Sequence, residues 1–317
     1  MQIEFVGEKA IPINRDQTIL EASLHAGIPH FHACGGKGKC STCRIMVLEG
    51  EENLSRPNRK EAKLRDAIKL AASIRLACQT RVEKESVKIE RIIKDESDIC
   101  QYIQVDDQYP NKIKLKPLGE EKYLVLFFLD IRDFTPFVET YLPFDVIYIT
   151  RKLFDIFYNV ITRHHGQIIE TAGDELYAVF GRESSIKEAA DAAISAGHAI
   201  LNELDALNKA YFKIYLPKEF EVGIGIHSGK VIVGEFNLGR QLKTSVMGLA
   251  VNIASRIQNS TKELNNSFVA SEEVMRHSSF KGGSENLEVD LKGVSTRYKL
   301  HLLGKHYRET KMVIPTS

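Results

Sequence analysis

The 317 residues set 43 lysines and arginines against 42 aspartates and glutamates, so the chain has almost no net charge of either sign. A balance of +1 excludes the strong cationic field that holds nucleic acid or an anionic membrane as a principal partner. Long apolar runs are also missing. The most apolar stretch, Tyr123 to Leu129, is far too short to span a bilayer, and no basic start leads into a long apolar core at the N-terminus. The expected compartment is the cytoplasm. Internal repeats and low-complexity segments are absent, which excludes solenoids and compositional tails. Cysteine is scarce, with five in all and none beyond Cys100.

What is present describes a folded chain. Apolar content of 43% and charged content of 27% suit a globular protein with room for two cores. Charge is unevenly spread: residues 1–94 carry 17 basic against 12 acidic side chains, a balance of +5, leaving 26 against 30, or −4, for residues 95–317. A basic lobe therefore precedes a mildly acidic one. Four of the five cysteines fall within the first 78 residues, and such clustering in a cytosolic chain points to metal binding over disulfides.

The first lobe reads as a small mixed domain. Ile3 to Val6 and Ala10 to Ile13 form an expected hairpin, Thr18 to Ala26 a short helix capped by Asp16 or Thr18, and Val87 to Ile92 a last strand. Between them lies PHFHACGGKGKCSTCRIMVLEG, with Cys34 followed after five residues by Cys40, after two more by Cys43, and after 34 by Cys78. Structural zinc sites pair two Cys-x2-Cys knuckles, which the first and last cysteines lack, so an iron–sulfur loop fits better than zinc or a plain cysteine cluster. These residues resemble the [2Fe-2S] ferredoxins of the plant and vertebrate type, whose β-grasp domain holds its cluster on three close cysteines and one distant one. The x5 spacing departs from the plant x4 and is closer to vertebrate-type and bacterial fused versions. Gly35, Gly36 and Gly38 are expected to adopt positive φ and turn N–H groups toward the cluster sulfurs. His25, His30 and His32 read as packing or surface residues, and Cys100 as an ordinary thiol.

Residues 95–121 mix charge with Pro110, Pro117 and Gly119 and read as a linker with one short extended piece, Lys112 to Leu115. Beyond it, YLVLFFLDIRDFTPF predicts a central buried strand ending at Asp130 and then a helix start. Leu142 to Arg163 is a helix with Phe144, Ile147, Phe154, Phe157 and Ile161 as its apolar stripe. Gly166 to Gly181 is a hairpin whose Ala172-Gly173-Asp174 turn sets a carboxylate at its tip, where it can hold a cation or simply make the turn. Ile186 to Leu207 is an alanine-rich helix. Phe220 to Ile226 and Val231 to Gly234 are strands around a His227-Ser228-Gly229 turn, followed by a helix from about Ala250 to Lys262 and a terminal strand, Tyr298 to Leu302.

The segments FLDIRDFT, ETAGDELYAVF, GIHSGKVIVG, VMGLAVNIASRIQ and DLKGV are similar, in kind and order, to the catalytic motifs of class III nucleotide cyclases over roughly residues 120–303. The whole chain is then expected to be a two-domain α+β/α/β protein. A β-grasp [2Fe-2S] ferredoxin-like domain (1–94) and a linker (95–121) precede a class III cyclase α/β sandwich (122–310). That sandwich has a ferredoxin-like βαββαβ core on a mostly antiparallel sheet, and a tail (311–317) follows.

The resemblance implies two Mg2+ or Mn2+ ions on Asp130 and Asp174, with the Ile131 carbonyl as a further ligand. It implies a triphosphate cradle of backbone amides at the helix start around Phe134 and Thr135. Asn252 and Arg256, at i and i+4 on one helix face, match the pair that orients the ribose and stabilises the reacting phosphate. Lys292 matches a lysine on the terminal phosphates, and Lys230 falls where many members carry an arginine. Two positions select the purine. Glu170, four residues before Asp174, is glutamate in guanylate and lysine in adenylate cyclases; a carboxylate accepts from guanine N1–H and N2–H2 and faces a bare lone pair on adenine N1. Ser245, three residues before Gly248, can donate to guanine O6 or accept from adenine N6–H2 and decides nothing. GTP is the expected substrate and ATP the alternative.

Because the family splits the metal aspartates and the Asn/Arg pair between subunits, one catalytic domain per chain implies a homodimer. The [2Fe-2S] cluster implies a redox partner and regulation of the cyclase by cluster state, or by cluster loss. A rival reading makes the chain a ferredoxin-type electron-transfer protein whose second domain only binds nucleotide.

Overall fold

A computed structural model describes residues 1–94, 103–106, 109–115, 119–216, 218–238, 241–282 and 286–307. Cys100 and the tail 311–317 lie outside the described residues. The chain divides into two compact units, Met1–Glu120 and Glu121–Ser317.

In the first unit, strands β1 (Gln2–Phe5), β2 (Ala10–Pro12), β3 (Arg44–Glu49), β4 (Ile74–Leu76) and β5 (Ser86–Arg91) form one sheet in the order β2-β1-β5-β3-β4. The chain termini of the domain lie side by side as the parallel pair β1–β5, and the other pairs are antiparallel. Helix α1 (Ile19–His25) is opened by a capping box: the Thr18 hydroxyl accepts from the Glu21 amide and the Glu21 carboxylate accepts from the Thr18 amide. Ile19 and Leu20 of α1 pack on Ile3, Phe5, Ile45, Leu76 and Ile89.

Helix α2 (Arg59–Ala67) is tied to β4 by an ion pair that the sequence did not advertise. Arg75 Nε and Nη2 donate to Glu61 Oε1 and Oε2 at 2.8 and 3.0 Å, with both side chains buried. Arg75 also reaches the Ser55 carbonyl, and the Leu76 amide donates to Glu61, so neither charge is left unpaired in the interior.

The segment expected to be a linker with one extended piece instead carries an antiparallel pair, β6 (Ile103–Asp106) and β7 (Tyr109–Leu115), with Ile103 opposite Leu115. Alternating side chains over so short a stretch do not reveal strand pairing, and the prolines favoured a loop reading.

The second unit is built on β8 (Glu120–Ile131), β9 (Gln167–Ala172), β10 (Glu175–Phe180), β11 (Val222–Leu238), β12 (Gln241–Met247), β13 (Phe268–Ser271), β14 (Asn286–Asp290) and β15 (Arg297–Leu302). The sheet runs β14-β15-β13-β11-β8-β10-β9, with β12 paired to β11. Its helices are α3 (Phe134–Thr140), α4 (Pro143–Arg163), α5 (Ile186–Leu207), α6 (Leu249–Glu263) and α7 (Glu272–His277). Strand β8 is apolar on both faces because both are covered. Val125, Phe127, Leu129 and Ile131 enter the core under α4 and α5, while Leu124, Leu126 and Phe128 meet Val231, Val246 and Ala254 on the other face. The result is the two-domain α+β architecture expected.

Two local expectations are corrected. The buried stripe of α4 is Val146, Ile149, Leu153, Phe157, Val160 and Ile161, while Phe144 and Ile147 point outward, Phe144 with 86% of its surface exposed. Helical spacing admits two apolar faces here, and only the sheet decides which is inside. His227-Ser228-Gly229 is not a turn, because β11 passes straight through it. His227 is buried, with Nδ1 2.9 Å from the Ser271 hydroxyl, and a Cβ on Gly229 would stand 2.7 Å from Ala250 Cβ. The glycine serves close helix–strand packing, which in sequence looks like turn chemistry.

Candidate active site

The four clustered cysteines converge. Cys34 and Cys40 are half-buried and Cys43 and Cys78 buried, and the thiols interact two and two. The hydrogen bond from Cys40 pulls the Cys34 thiol down to about 5, aided by the amides of Lys37, Lys39 and Cys40. Likewise the Cys43 hydrogen bond lowers Cys78 to about 7, and the partner thiol of each pair is pushed up. Such a set, two thiols ready to ionise and two that share their protons, fits a two-iron cluster with two sulfurs on each iron. Among the described residues no three His, Cys, Asp or Glu side chains gather as ligands of one ion. Gly35, Gly36 and Gly38 have φ of 66°, 76° and 68°, the left-handed conformation expected of the loop. Thr42 Oγ1 lies 3.1 Å from Cys40 Sγ, and Gln79 Nε2 donates to Cys78 Sγ at 3.3 Å and to the Gly36 carbonyl at 3.1 Å. His30 and His32 are buried and His25 is exposed; His30 Nδ1 meets Ser23 Oγ at 3.1 Å.

In the second unit, Asp130, one residue before the end of β8, lies directly opposite Glu175 of β10, and Asp174 occupies the β9–β10 turn after Gly173, whose φ is 62°. The two carboxyl groups are close enough to act on one another. Burial, then the hydrogen bond and charge of Asp174, raise Asp130 from 3.8 to about 7, against the pull of Arg132. Arg132 Nη2 stands 3.2 Å from Asp130 Oδ2, and its guanidinium lies over the Tyr307 ring. Two carboxyls forced to share a proton are a place where a divalent cation relieves repulsion, so the donor set fits Mg2+ or Mn2+. The Ile131 side chain is buried beneath them. Asp133 takes a left-handed turn (φ 53°) into α3, so the amides of Phe134 and Thr135 are first-turn donors without intrahelical acceptors.

Glu170 on β9 lies opposite Tyr177, and its Oε1 accepts from Lys243 Nζ of β12 at 2.6 Å. Lys243 was missed in sequence. Its signal is period two: it stands two residues before Ser245 and shares that residue's face of the strand. Ser245 is opposite Gly234. Asn252 and Arg256 occupy the exposed face of α6, whose other face buries Ala250, Ile253, Ala254 and Ile257. The charged groups that act most on Asp130 are Asp174, Arg132 and Glu175. Lys292 is exposed in the turn after β14, and Lys230 stands 3.6 Å from Glu121. One chain therefore assembles the carboxylate pair and the Glu170–Lys243 edge, and leaves Asn252 and Arg256 facing outward.

Residues 119–304 match the model of the adenylate and guanylate cyclase catalytic domain. The chain belongs to that family. Ahead of this cyclase domain, residues 5–83 match the 2Fe-2S iron-sulfur cluster binding domain. Adenylate cyclase 1 of Rhizobium meliloti is 34% identical over 144 residues, 45% of this chain and 22% of that protein. The chain thus spans about a quarter of the length of the curated relatives it matches. The crystal structure of the guanylyl cyclase Cya2 superposes on the cyclase domain with a TM-score of 0.53 at 26% identity, covering 58% of this chain and 92% of that one. The adenylyl cyclase CyaB from P. aeruginosa shares the fold, with a TM-score of 0.54 at 23% identity over 60% of this chain and 97% of that one. No helix among the described residues is long and apolar enough to cross a membrane.

Proposed function

We propose that this protein is a homodimeric class III nucleotide cyclase that converts GTP to 3′,5′-cyclic GMP and pyrophosphate and carries a [2Fe-2S] cluster that regulates it. The observation that carries the choice of base is the 2.6 Å contact between Lys243 and Glu170. A guanine edge runs donor, donor, acceptor from N2 through N1 to O6, whereas adenine offers an acceptor at N1 and a donor at N6. Either purine can be met by one carboxylate and one ammonium, but in opposite order. Here the carboxylate is on β9 and the ammonium on β12, on the face and strand of Ser245, the residue assigned to position 6 of the purine. That order puts acceptors at N1 and N2 and a donor at O6, which suits guanine. Adenine would meet Glu170 with its N1 lone pair and Lys243 with its N6–H2.

Asp130 and Asp174, with the Ile131 carbonyl, would hold two Mg2+ or Mn2+ ions. Such ions, when bound, lower the pKa of the ribose 3′-OH and neutralise the triphosphate for in-line attack on the α-phosphorus. The chain's own part is to position. The first-turn amides of Phe134 and Thr135 receive phosphate oxygens. Asn252 orients the ribose, Arg256 takes charge on the reacting phosphate, and Lys292 and the less specific Lys230 lie toward the leaving pyrophosphate. Arg132 anchors Asp130 from behind.

The outward face of α6 supports completion of each site by a second copy. Met247 and Leu249 beside it are 52% and 66% exposed, large apolar side chains that a dimer would cover. Cys34, Cys40, Cys43 and Cys78 would hold the cluster, whose two oxidation states differ by one charge. Side-by-side turnover of GTP and ATP by anaerobically purified protein, in each cluster state, is the test. Faster cyclisation of ATP would overturn the choice of base, and equal rates for oxidised, reduced and cluster-free protein would overturn the regulation.

A further inference from the structure

The loop between Cys34 and Cys40 and the helix α2 enclose an open depression of about 560 Å³. Lys37 and Lys39 of the loop and Lys60 and Lys63 of α2 stand around it, Leu64 and Ala67 form an apolar floor, and no carboxylate lines it. All four lysines are exposed. Lys60 and Lys63 are i and i+3 on one helix face, so their charges add toward the same opening. The chain as a whole is nearly neutral, so this is a local field and not a consequence of overall basicity. Its place is specific: Cys34 and Cys40 are the less buried pair of cysteines, and the loop that carries them is the rim.

We propose that this lysine collar is the docking surface for an acidic one-electron carrier protein that reduces the cluster. Carboxylates of the carrier would meet the rim and steer the encounter, while the apolar edge of its cofactor would rest on Leu64 and Ala67 beside the cysteine loop. The contact is small, as suits a transient redox encounter. One electron passes from the carrier to the diferric cluster; the carrier is oxidised and the cluster reduced by one electron each, and no bond or proton is exchanged. The inference rests on the reading that the four cysteines hold a cluster. Iron content and visible absorption of the purified protein test that reading separately.

The experiment uses full-length holoprotein under anaerobic conditions, with an acidic flavodoxin hydroquinone as donor and the methyl viologen radical cation as control. Bleaching of the cluster is followed from about 20 to about 300 mM NaCl, over which screening shortens steeply. Binding of oxidised, fluorescently labelled flavodoxin to oxidised protein is measured in parallel. The flavodoxin rate should fall by about tenfold or more with salt, and the viologen rate should not fall. The variant K60E/K63E should lose about tenfold in flavodoxin rate and binding at low salt, with unchanged cluster absorption and with reduction by the viologen cation not slowed. A flavodoxin rate that ignores salt, or that the double variant matches, overturns the proposal. So does binding of inorganic pyrophosphate that the variant abolishes while flavodoxin reduction persists, since the collar would then be a small-anion site.

Discussion

Replacing Asp130 by Asn should stabilise the metal-free cyclase domain while abolishing turnover. An acid whose folded pKa is raised contributes stability below its unfolded pKa and loses it as pH rises through the folded value. For Asp130 the window runs from about 4 to about 7, so above pH 7 the metal-free protein bears the full cost of burying an ionised carboxylate, and of holding it beside Asp174. The rise from 3.8 to about 7, at ~1.4 kcal/mol per tenfold change in proton affinity, caps that cost at about 4 kcal/mol. The side chain is 29% exposed, and solvent screening brings the figure to ~1–2 kcal/mol. In a domain of this size that is roughly 3–6 °C. Asparagine keeps an oxygen for Arg132 and removes the repulsion. The assay is thermal unfolding in EDTA between pH 5 and 8: the variant's advantage should grow with pH, and Mg2+ or Mn2+ should stabilise the wild type and not the variant. A variant less stable than wild type at pH 8 in EDTA would refute the reasoning.

Mixing two inactive proteins tests the dimer. In the proposed dimer Asp174→Asn and Arg256→Ala would fall in different halves of a shared site, so half the dimers would regain one intact site of two, and co-refolding should restore roughly a quarter of wild-type turnover; no recovery would place both residues in one chain's site. Glu170→Lys with Ser245→Asp sets a second ammonium against Lys243, so the switch toward ATP should be poor until Lys243→Ser is added, as read by the ratio of cAMP to cGMP formed. Glu61→Ala strands the buried Arg75 guanidinium, and should lower the stability of the ferredoxin-like domain by about 3–5 kcal/mol, measured by denaturant loss of cluster absorption; a change under about 1 kcal/mol would mean that water reaches Arg75.

The sequence by itself determined the two domains and their order, and nominated the cysteine set and the candidate site residues, because these signals are local. A Cys-x5-Cys-x2-Cys loop with three glycines, an aspartate closing an apolar strand, a Gly-Asp turn and an Asn/Arg pair one helical turn apart each announce themselves within a few residues. Helix α5 over Ile186–Leu207 was legible to its ends for the same reason, since its cap and its stripe lie in one segment. Tertiary structure decided whatever depends on residues far apart in the chain. It chose which apolar face of α4 is buried, ran β11 through Gly229 because α6 packs close, and paired Glu61 with Arg75 across 14 residues. It also brought Lys243 to Glu170 across 73. Local pattern states what a residue can do; packing and long-range charge determine whom it meets, as Glu170 of β9 meets Lys243 of β12.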